Sequence, residues 1–191
     1  MIDKIFVFEN IVSTELQEKI KNTFFENQIF SWYFLNDVSK LHNPNHKRPG
    51  MVHWFMENKK INSDYFSLLN PIIENCNKKI NKNLKPYNVR SFLQFPLNEN
   101  FLGKDIDTPH LDLKIPHTVF LYYVMDSEAD TVIYDYKSAN ENDIPIFENI
   151  NELKRIKPKQ GSVLIFNGMY WHTAIQPHQN IRCVINMDMV N

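Results

Sequence analysis

His110, Asp112 and His172 are the residues of this chain whose types and spacing could do chemistry. They lie in two segments, TPHLDLKIPH (108–117) and GSVLIFNGMYWHTAIQPHQNIRCVINMD (161–188), the second of which continues to Arg182. Two imidazoles and one carboxylate are the ligand set of a mononuclear non-haem iron(II) centre. Such a centre holds metal on one face and leaves positions open for a chelating co-substrate and then O2. In an extended segment residues i and i+2 project to the same side, so His110 and Asp112 would point together. Pro109 favours an extended residue before it and removes a ladder donor, which suits a strand end.

The second segment adds a cation. In the strand RCVINMD, Arg182, Val184, Asn186 and Asp188 share one face, and Cys183, Ile185 and Met187 share the other. An Arg in so apolar a strand has a reason to be there if it meets an anion, because guanidinium grips a carboxylate with two parallel hydrogen bonds. Taken singly, each residue has a plainer explanation. A lone His on an apolar strand is usually structural, His-x-Asp occurs by chance in many chains, and an Arg at a strand edge can form a surface ion pair. The ordered set is what points to a metal. His117 could reach the site, begin a strand or support a ligand. His42, His46 and His53, in an Asn-, Pro- and Lys-rich stretch, and His178, in a loop, read as solvated. Trp171 reads as core packing.

With these motifs in place, the chain resembles the Fe(II)- and 2-oxoglutarate-dependent oxygenases, in particular the small bacterial and phage forms similar to prolyl 4-hydroxylases. The resemblance runs from about Val89 to the C-terminus. It rests on His110-x-Asp112, the strand HTVFLYYV (117–124), the run Pro158-Lys159-x-Gly161-x-x-x-x-Phe166, His172 and Arg182. It implies that His110, Asp112 and His172 bind Fe(II) and form the catalytic centre, and that Arg182 holds the distal carboxylate of 2-oxoglutarate. A hydroxyl from Thr118, Tyr122 or Tyr123 would assist, and alternation lets only one of the two tyrosines face inward. The implied reaction uses O2, with ascorbate as a supporting reductant, and releases succinate and CO2 while hydroxylating a C–H bond of a peptidyl or amino-acid-like substrate. Two other readings stay open. One is a nucleobase-directed oxygenase of the same superfamily. The other is a cupin-like metal-binding domain, an isomerase or binding module, without 2-oxoglutarate turnover. Arg182 discriminates, since a generic cupin needs no cation deep in its pocket.

The elements that must position these residues follow from periodicity. KIFVF (4–8), FSWYFL (30–35), MVHWFM (51–56), VRSFLQF (89–95), TVIYDY (131–136) and SVLIF (162–166) read as further strands. Ser13 or Thr14 can cap a helix running to about Asn27, with Leu16, Ile20 and Phe24 along one face. A second helix spans Asp64 to about Lys82, with Phe66, Leu69, Ile72, Ile73, Cys76 and Ile80 at helical spacing and Pro71 marking a start or a kink. This is a mainly β chain with flanking helices, an α+β pattern. The resemblance implies a double-stranded β-helix, a cupin-like jelly roll of two sheets with the two helices of the N-terminal half packed outside. The length fits a single domain over 1–191, with 1–88 as support and 89–191 as metal-binding core. The loops Leu35–Gly50 and Lys137–Asn151 would select the substrate, a small molecule or a peptide. Lys47 and Arg48 could meet it or simply be solvated.

Composition excludes other classes. Hydrophobic residues at 43% and aromatics at 13% exclude a disordered chain, and a net charge of −1 with pI near 6.7 gives no support for a nucleic-acid patch. Cys76 and Cys183, on a helix and a strand, read as reduced thiols. The start MIDKIFVFEN carries acids and too short an apolar run for a signal peptide, and no stretch of about 18 apolar residues suggests a membrane span. The expectation is a cytoplasmic protein.

Overall fold

The computed structural model describes residues 2, 4–38, 48–96, 106–138 and 149–191. In chain order the elements are β1 (Phe6–Phe8), α1 (Thr14–Phe25), β2 (Tyr33–Leu35), β3 (Gly50–Glu57), β4 (Lys60–Ile61), a 3-10 helix (Asp64–Leu69), α2 (Asn70–Ile80) and β5 (Lys85–Gln94). They continue with β6 (Thr118–Tyr123), β7 (Thr131–Lys137), β8 (Glu152–Ile156), β9 (Val163–Asn167), β10 (Tyr170–Ala174) and β11 (Arg182–Val190). The larger sheet runs β1-β9-β6-β11-β5-β3-β2, with β4 on β3, and the smaller runs β10-β7-β8. The pairings are antiparallel, and strands far apart in sequence lie side by side, β11 between β5 and β6 for example. This is the mainly β, jelly-roll-like architecture with two flanking helices that the periodicity and the resemblance implied.

Both helices begin where local chemistry allows. The Ser13 hydroxyl accepts the Leu16 N–H at 3.3 Å and caps α1. Pro71 sits in the first turn of α2, where its missing N–H costs nothing, and the preceding segment is a separate 3-10 turn. Asn81 closes α2 in the left-handed conformation, φ 51°. Gly161, at φ +75°, turns the chain so closely past α1 that a Cβ there would overlap the Gln17 side chain.

Alternation in β6 and β11 sorts the core into two layers. Phe120 and Tyr122 of β6, with Cys183, Ile185, Met187 and Met189 of β11, pack under Ile20 and Phe24 of α1 and Ile72 and Cys76 of α2. Val119, Leu121, Tyr123 and Val184 face the other way, onto Ile133 of β7, Ile156 of β8 and Leu164 and Phe166 of β9. A strand buried on both faces reads as a continuous apolar run, as HTVFLYYV does. Apolar patterning leaves out β4, β8 and β10, and β8 is the plainest case. Its sequence ELKRI is exposed over Glu152–Arg155 at the edge of the smaller sheet, where nothing requires an apolar face.

Other expectations need correction. His53 is buried, not solvated. Its ring lies 4.3 Å from that of Phe30, and its nitrogens reach the Ser31 carbonyl at 2.6 Å and the Ser63 hydroxyl at 2.9 Å. Its β3 strand places it on the helix side, a position the polar residues preceding it obscure. His42 and His46 lie outside the described residues, and His178 is exposed as expected. Trp171 is buried, and the thiols of Cys76 and Cys183 are buried and unbridged. Among the described residues no helix is long and apolar enough to cross a membrane.

Candidate active site

The His-x-Asp segment is not a strand, contrary to the parity argument. Residues 106–117 run as irregular backbone with isolated bridges at Ile106–Ile175 and His110–His172. Pro109 and Pro116 remove ladder donors on either side. The segment is instead tied to β10. The His110 N–H donates to the His172 carbonyl at 2.9 Å and the His172 N–H returns to the His110 carbonyl at 3.2 Å. The Asp107 N–H donates to the Ala174 carbonyl at 2.9 Å, and the Thr173 hydroxyl donates to the Asp107 carbonyl at 2.5 Å. The bridge brings the His110 and His172 rings to 4.9 Å centroid separation, and Asp112 follows at the same mouth.

The ligand atoms of His110, Asp112 and His172 lie within 4.8 Å of one another. Each imidazole is fixed in one tautomer. Nδ1 of His110 donates to the Thr108 carbonyl at 3.0 Å, and Nδ1 of His172 donates to the Tyr170 carbonyl at 3.1 Å. Both Nε2 atoms are thereby turned toward Asp112. His172 Nε2 stands 3.1 Å from Asp112 Oδ2, and His110 Nε2 stands 4.0 Å from Oδ1. A lone pair facing a buried carboxylate oxygen at 3.1 Å needs a proton or a metal cation between them. Adjacent ligands of an octahedral ion with bonds of roughly 2.1 Å are about 3 Å apart, a spacing that His172 and Asp112 already have, while His110 at 4.0 Å stands wider, so the donor types suit a divalent cation and one pair has its spacing.

Asp112 is prepared to stay ionised. Its side chain is only 2% exposed; Arg90 donates to Oδ1, and the Asn186 amide donates to Oδ2 at 2.9 Å. Burial opposes ionisation, but the Arg90 charge and the hydrogen bond and charge of His172, with His110 adding to them, hold the carboxyl well below its usual range. Behind it, burial and then the Asp112 charge push Asp188 up to about 7. His117 does not enter the triad. Its Nδ1 donates to the Ile115 carbonyl at 2.8 Å and burial pushes its pKa down. It has room because Gly168 has no Cβ, which would overlap the ring. Asp112, His117 and Asp188 also bring ligand atoms within 4.8 Å of one another, yet Arg90 already supplies a cation to both carboxylates.

At the other end of the cavity stands Arg182, 4% exposed. Its Nε donates to the Ala129 carbonyl at 3.1 Å, one terminal nitrogen to the Gln94 side-chain oxygen at 2.7 Å, and the other to the Thr131 hydroxyl at 2.9 Å. Each terminal nitrogen keeps a second N–H, enough for a carboxylate fork. The Gln94 amide donates in turn to Asp107 at 3.1 Å. The Thr131 oxygen also accepts the Tyr123 hydroxyl at 2.9 Å. With two donors on its oxygen, the Thr131 O–H must itself donate, and Thr131 lines the cavity.

The expected hydroxyl donors therefore need correction. Tyr123 is the tyrosine that faces inward, but it acts behind Thr131. Tyr122 packs into the helix-side core, where its hydroxyl is buried without a partner among the described residues. Thr118 pairs with Met189 and Asn167 on that same outer face. Neither lines the cavity. Thr131 was hidden because its strand begins after a turn, away from the His-x-Asp segment. Arg48 is also not solvated. It is 1% exposed and paired with Asp107, whereas Lys47 lies outside the described residues.

No family model and no curated protein sequence matches the chain. Solved structures do. An oxidoreductase of the 2OG-Fe(II) oxygenase family from Burkholderia pseudomallei superposes with a TM-score of 0.67 at 8% identity, over 97% of this chain and 84% of that one. The viral collagen prolyl hydroxylase of Paramecium Bursaria Chlorella virus-1, in its 2OG complex, gives 0.57 at 12% identity, over 97% and 94%. The epimerase SnoN from nogalamycin biosynthesis, in complex with Fe3+, alpha ketoglutarate and nogalamycin RO, gives 0.67 at 7%, over 98% and 78%. At such identities the likeness establishes the fold, which is the one these oxygenases share.

Proposed function

We propose that this chain, which has the fold of the iron(II)- and 2-oxoglutarate-dependent oxygenases, is one of them and hydroxylates a C–H bond of a peptidyl or amino-acid-like substrate. The observation that carries the reading is one cavity with His110, Asp112 and His172 at one end and the Arg182–Thr131 pair at the other. Asn186, which holds Asp112, and Arg182 are four residues apart on β11, roughly 13 Å along the strand. An Arg side chain and a five-carbon dicarboxylate together span that length. When bound, iron and 2-oxoglutarate supply the hard chemistry, coupling O2-dependent decarboxylation to succinate and CO2 with oxygenation of the substrate. Ascorbate would serve as a supporting reductant.

The chain's own residues bind, orient and shield. His110 and His172 offer Nε2 because their Nδ1 protons are committed to backbone carbonyls. Asp112 supplies the charge that favours a dication. Arg182, with Thr131 beside it, anchors the far carboxylate and so points the 2-oxo acid end at the metal ligands. Val119, Leu121, Phe166 and Val184 line the space between and keep water from it. The hydroxylase reading takes its support from the likeness to a prolyl hydroxylase over nearly that enzyme's whole length. An epimerase shares this fold, so the fold alone does not fix the reaction outcome.

Two expected results follow from these roles. Thr131→Val should weaken 2-oxoglutarate binding by on the order of 1.5–3 kcal/mol, roughly ten- to 150-fold, with iron affinity unchanged, because a hydrogen bond to a charged group is lost. Calorimetry on the iron-loaded protein checks this, and unchanged 2-oxoglutarate affinity would remove Thr131 from the anchor. Supplied with Fe(II), ascorbate and O2, the protein should convert 2-oxoglutarate slowly to succinate without any substrate. N-oxalylglycine should inhibit, His172→Ala should abolish the turnover, and peptide or amino-acid pools should accelerate it. No succinate from iron-loaded protein across such pools would favour the cupin-like alternative. Acceleration by nucleic-acid pools alone would move the substrate to nucleobases.

A further inference from the structure

We infer that Arg90 is a positioning residue that engages one oxygen of Asp112 and so leaves the other to face His172 as the single ligand oxygen. The inference rests on the metal-binding reading above and goes beyond its ligand set. Asp112 lies on irregular backbone with no ladder to orient it, so its carboxylate must be aimed by what it touches. Arg90 stands on β5, opposite Asn186 of β11 and Trp54 of β3, and is 6% exposed.

The guanidinium is clamped from several directions. Its carbon lies 5.1 Å from the Trp54 ring centroid and 5.4 Å from that of Phe92, so aromatic faces restrict it. Asp188 Oδ2 lies 3.8 Å from the nitrogen that donates to Asp112 Oδ1. With Oδ1 engaged by a fixed cation, Oδ2 is the oxygen left facing His172, at 3.1 Å, steadied by Asn186 at 2.9 Å. Ligation through one oxygen keeps a neighbouring position open for a chelating co-substrate. A cation is required here, not merely a donor. Two buried carboxylates, Asp112 and Asp188, share this corner, and one nitrogen of the Arg90 guanidinium lies against both of them. A planar guanidinium between rings holds a direction that an ammonium on a flexible stem does not.

The test compares metal-free wild type, Arg90→Met and Arg90→Lys by Co(II) titration, reading affinity and the visible ligand-field bands, with thermal melting of each metal-free protein. Loss of a group that orients a metal ligand typically weakens binding about 10–100-fold. Arg90→Met should show that loss with altered bands, and Arg90→Lys should recover at least half of it on a logarithmic scale. Co(II) binding by Arg90→Met that is unchanged within threefold, or tighter, with wild-type bands overturns the inference, even if the melting temperature falls. If Arg90→Met does not fold, Arg90→Lys decides: binding three- to tenfold weaker than wild type supports the inference, and wild-type affinity and bands overturn it. Failure of the wild type itself to bind Co(II) is a separate result, and it overturns the metal-binding reading together with this one.

Discussion

In Asp112→Ala, iron(II) affinity should fall by at least about a hundredfold while the fold persists. Losing even a group that only supports a ligand costs about 10–100-fold, and Asp112 is the sole carboxylate of the proposed triad. The fold survives because removing Asp112 does not strand Arg90, which keeps Asp188 at 3.8 Å and the rings of Trp54 and Phe92. Removing one of two neighbouring buried carboxylates also relieves their repulsion, since the Asp112 charge helps push Asp188 up. Calorimetric titration with iron(II) under anaerobic conditions, paired with thermal melting, measures both halves. Unchanged affinity in a folded variant would remove Asp112 from the metal site. Asp112→Glu should also fail in turnover, because an added methylene displaces the oxygen by about 1 Å or more, and a misplacement of that size can cost about a hundredfold.

Arg182→Ala should leave iron binding close to wild type and weaken 2-oxoglutarate binding severely. Truncating one partner of a buried charged pair costs on the order of 2–5 kcal/mol, roughly thirty- to several-thousandfold. The variant also takes a donor from Gln94, Thr131 and the Ala129 carbonyl, so its melting temperature should drop as well. Arg182→Lys should recover part of the loss, since an ammonium supplies charge but no fork. Separate titrations with iron and with 2-oxoglutarate distinguish the steps. A wild-type affinity for 2-oxoglutarate in Arg182→Ala would move the anchor elsewhere in the cavity, and Arg48, paired with Asp107 nearby, would be the next cation to replace.

Alternation along single strands made part of this legible in the sequence. The faces of RCVINMD separate in the structure as the parity of Arg182, Val184, Asn186 and Asp188 predicts, because β11 is regular where they lie. The elements that carry long apolar runs were legible for the same reason. His110 and Asp112 converge as expected, but by a different route: a two-way backbone bridge to His172 and the Asp107 hydrogen bonds, not a strand. Relations between strands were not legible. Thr131 stands beside Arg182 because β7 lies across the cavity from β11, and Arg90 meets Asp112 because β5 pairs with β11. Neither adjacency leaves a signal in local spacing. Arg48 lies in a polar stretch and His53 just beyond it, and neither position signals that the side chain turns inward to partners distant in sequence.

The central claim is that one cavity holds iron(II) at His110, Asp112 and His172 together with 2-oxoglutarate on Arg182. Anaerobic titration of the iron(II)-loaded protein with 2-oxoglutarate tests it directly, by following the weak visible metal-to-ligand charge-transfer band that forms only when the 2-oxo acid chelates the metal. The expected result is a band that saturates at one equivalent of 2-oxoglutarate per iron, is missing in His172→Ala, and needs far more 2-oxoglutarate in Arg182→Ala. Protein that binds one iron(II) yet develops no such band at saturating 2-oxoglutarate would contradict the claim.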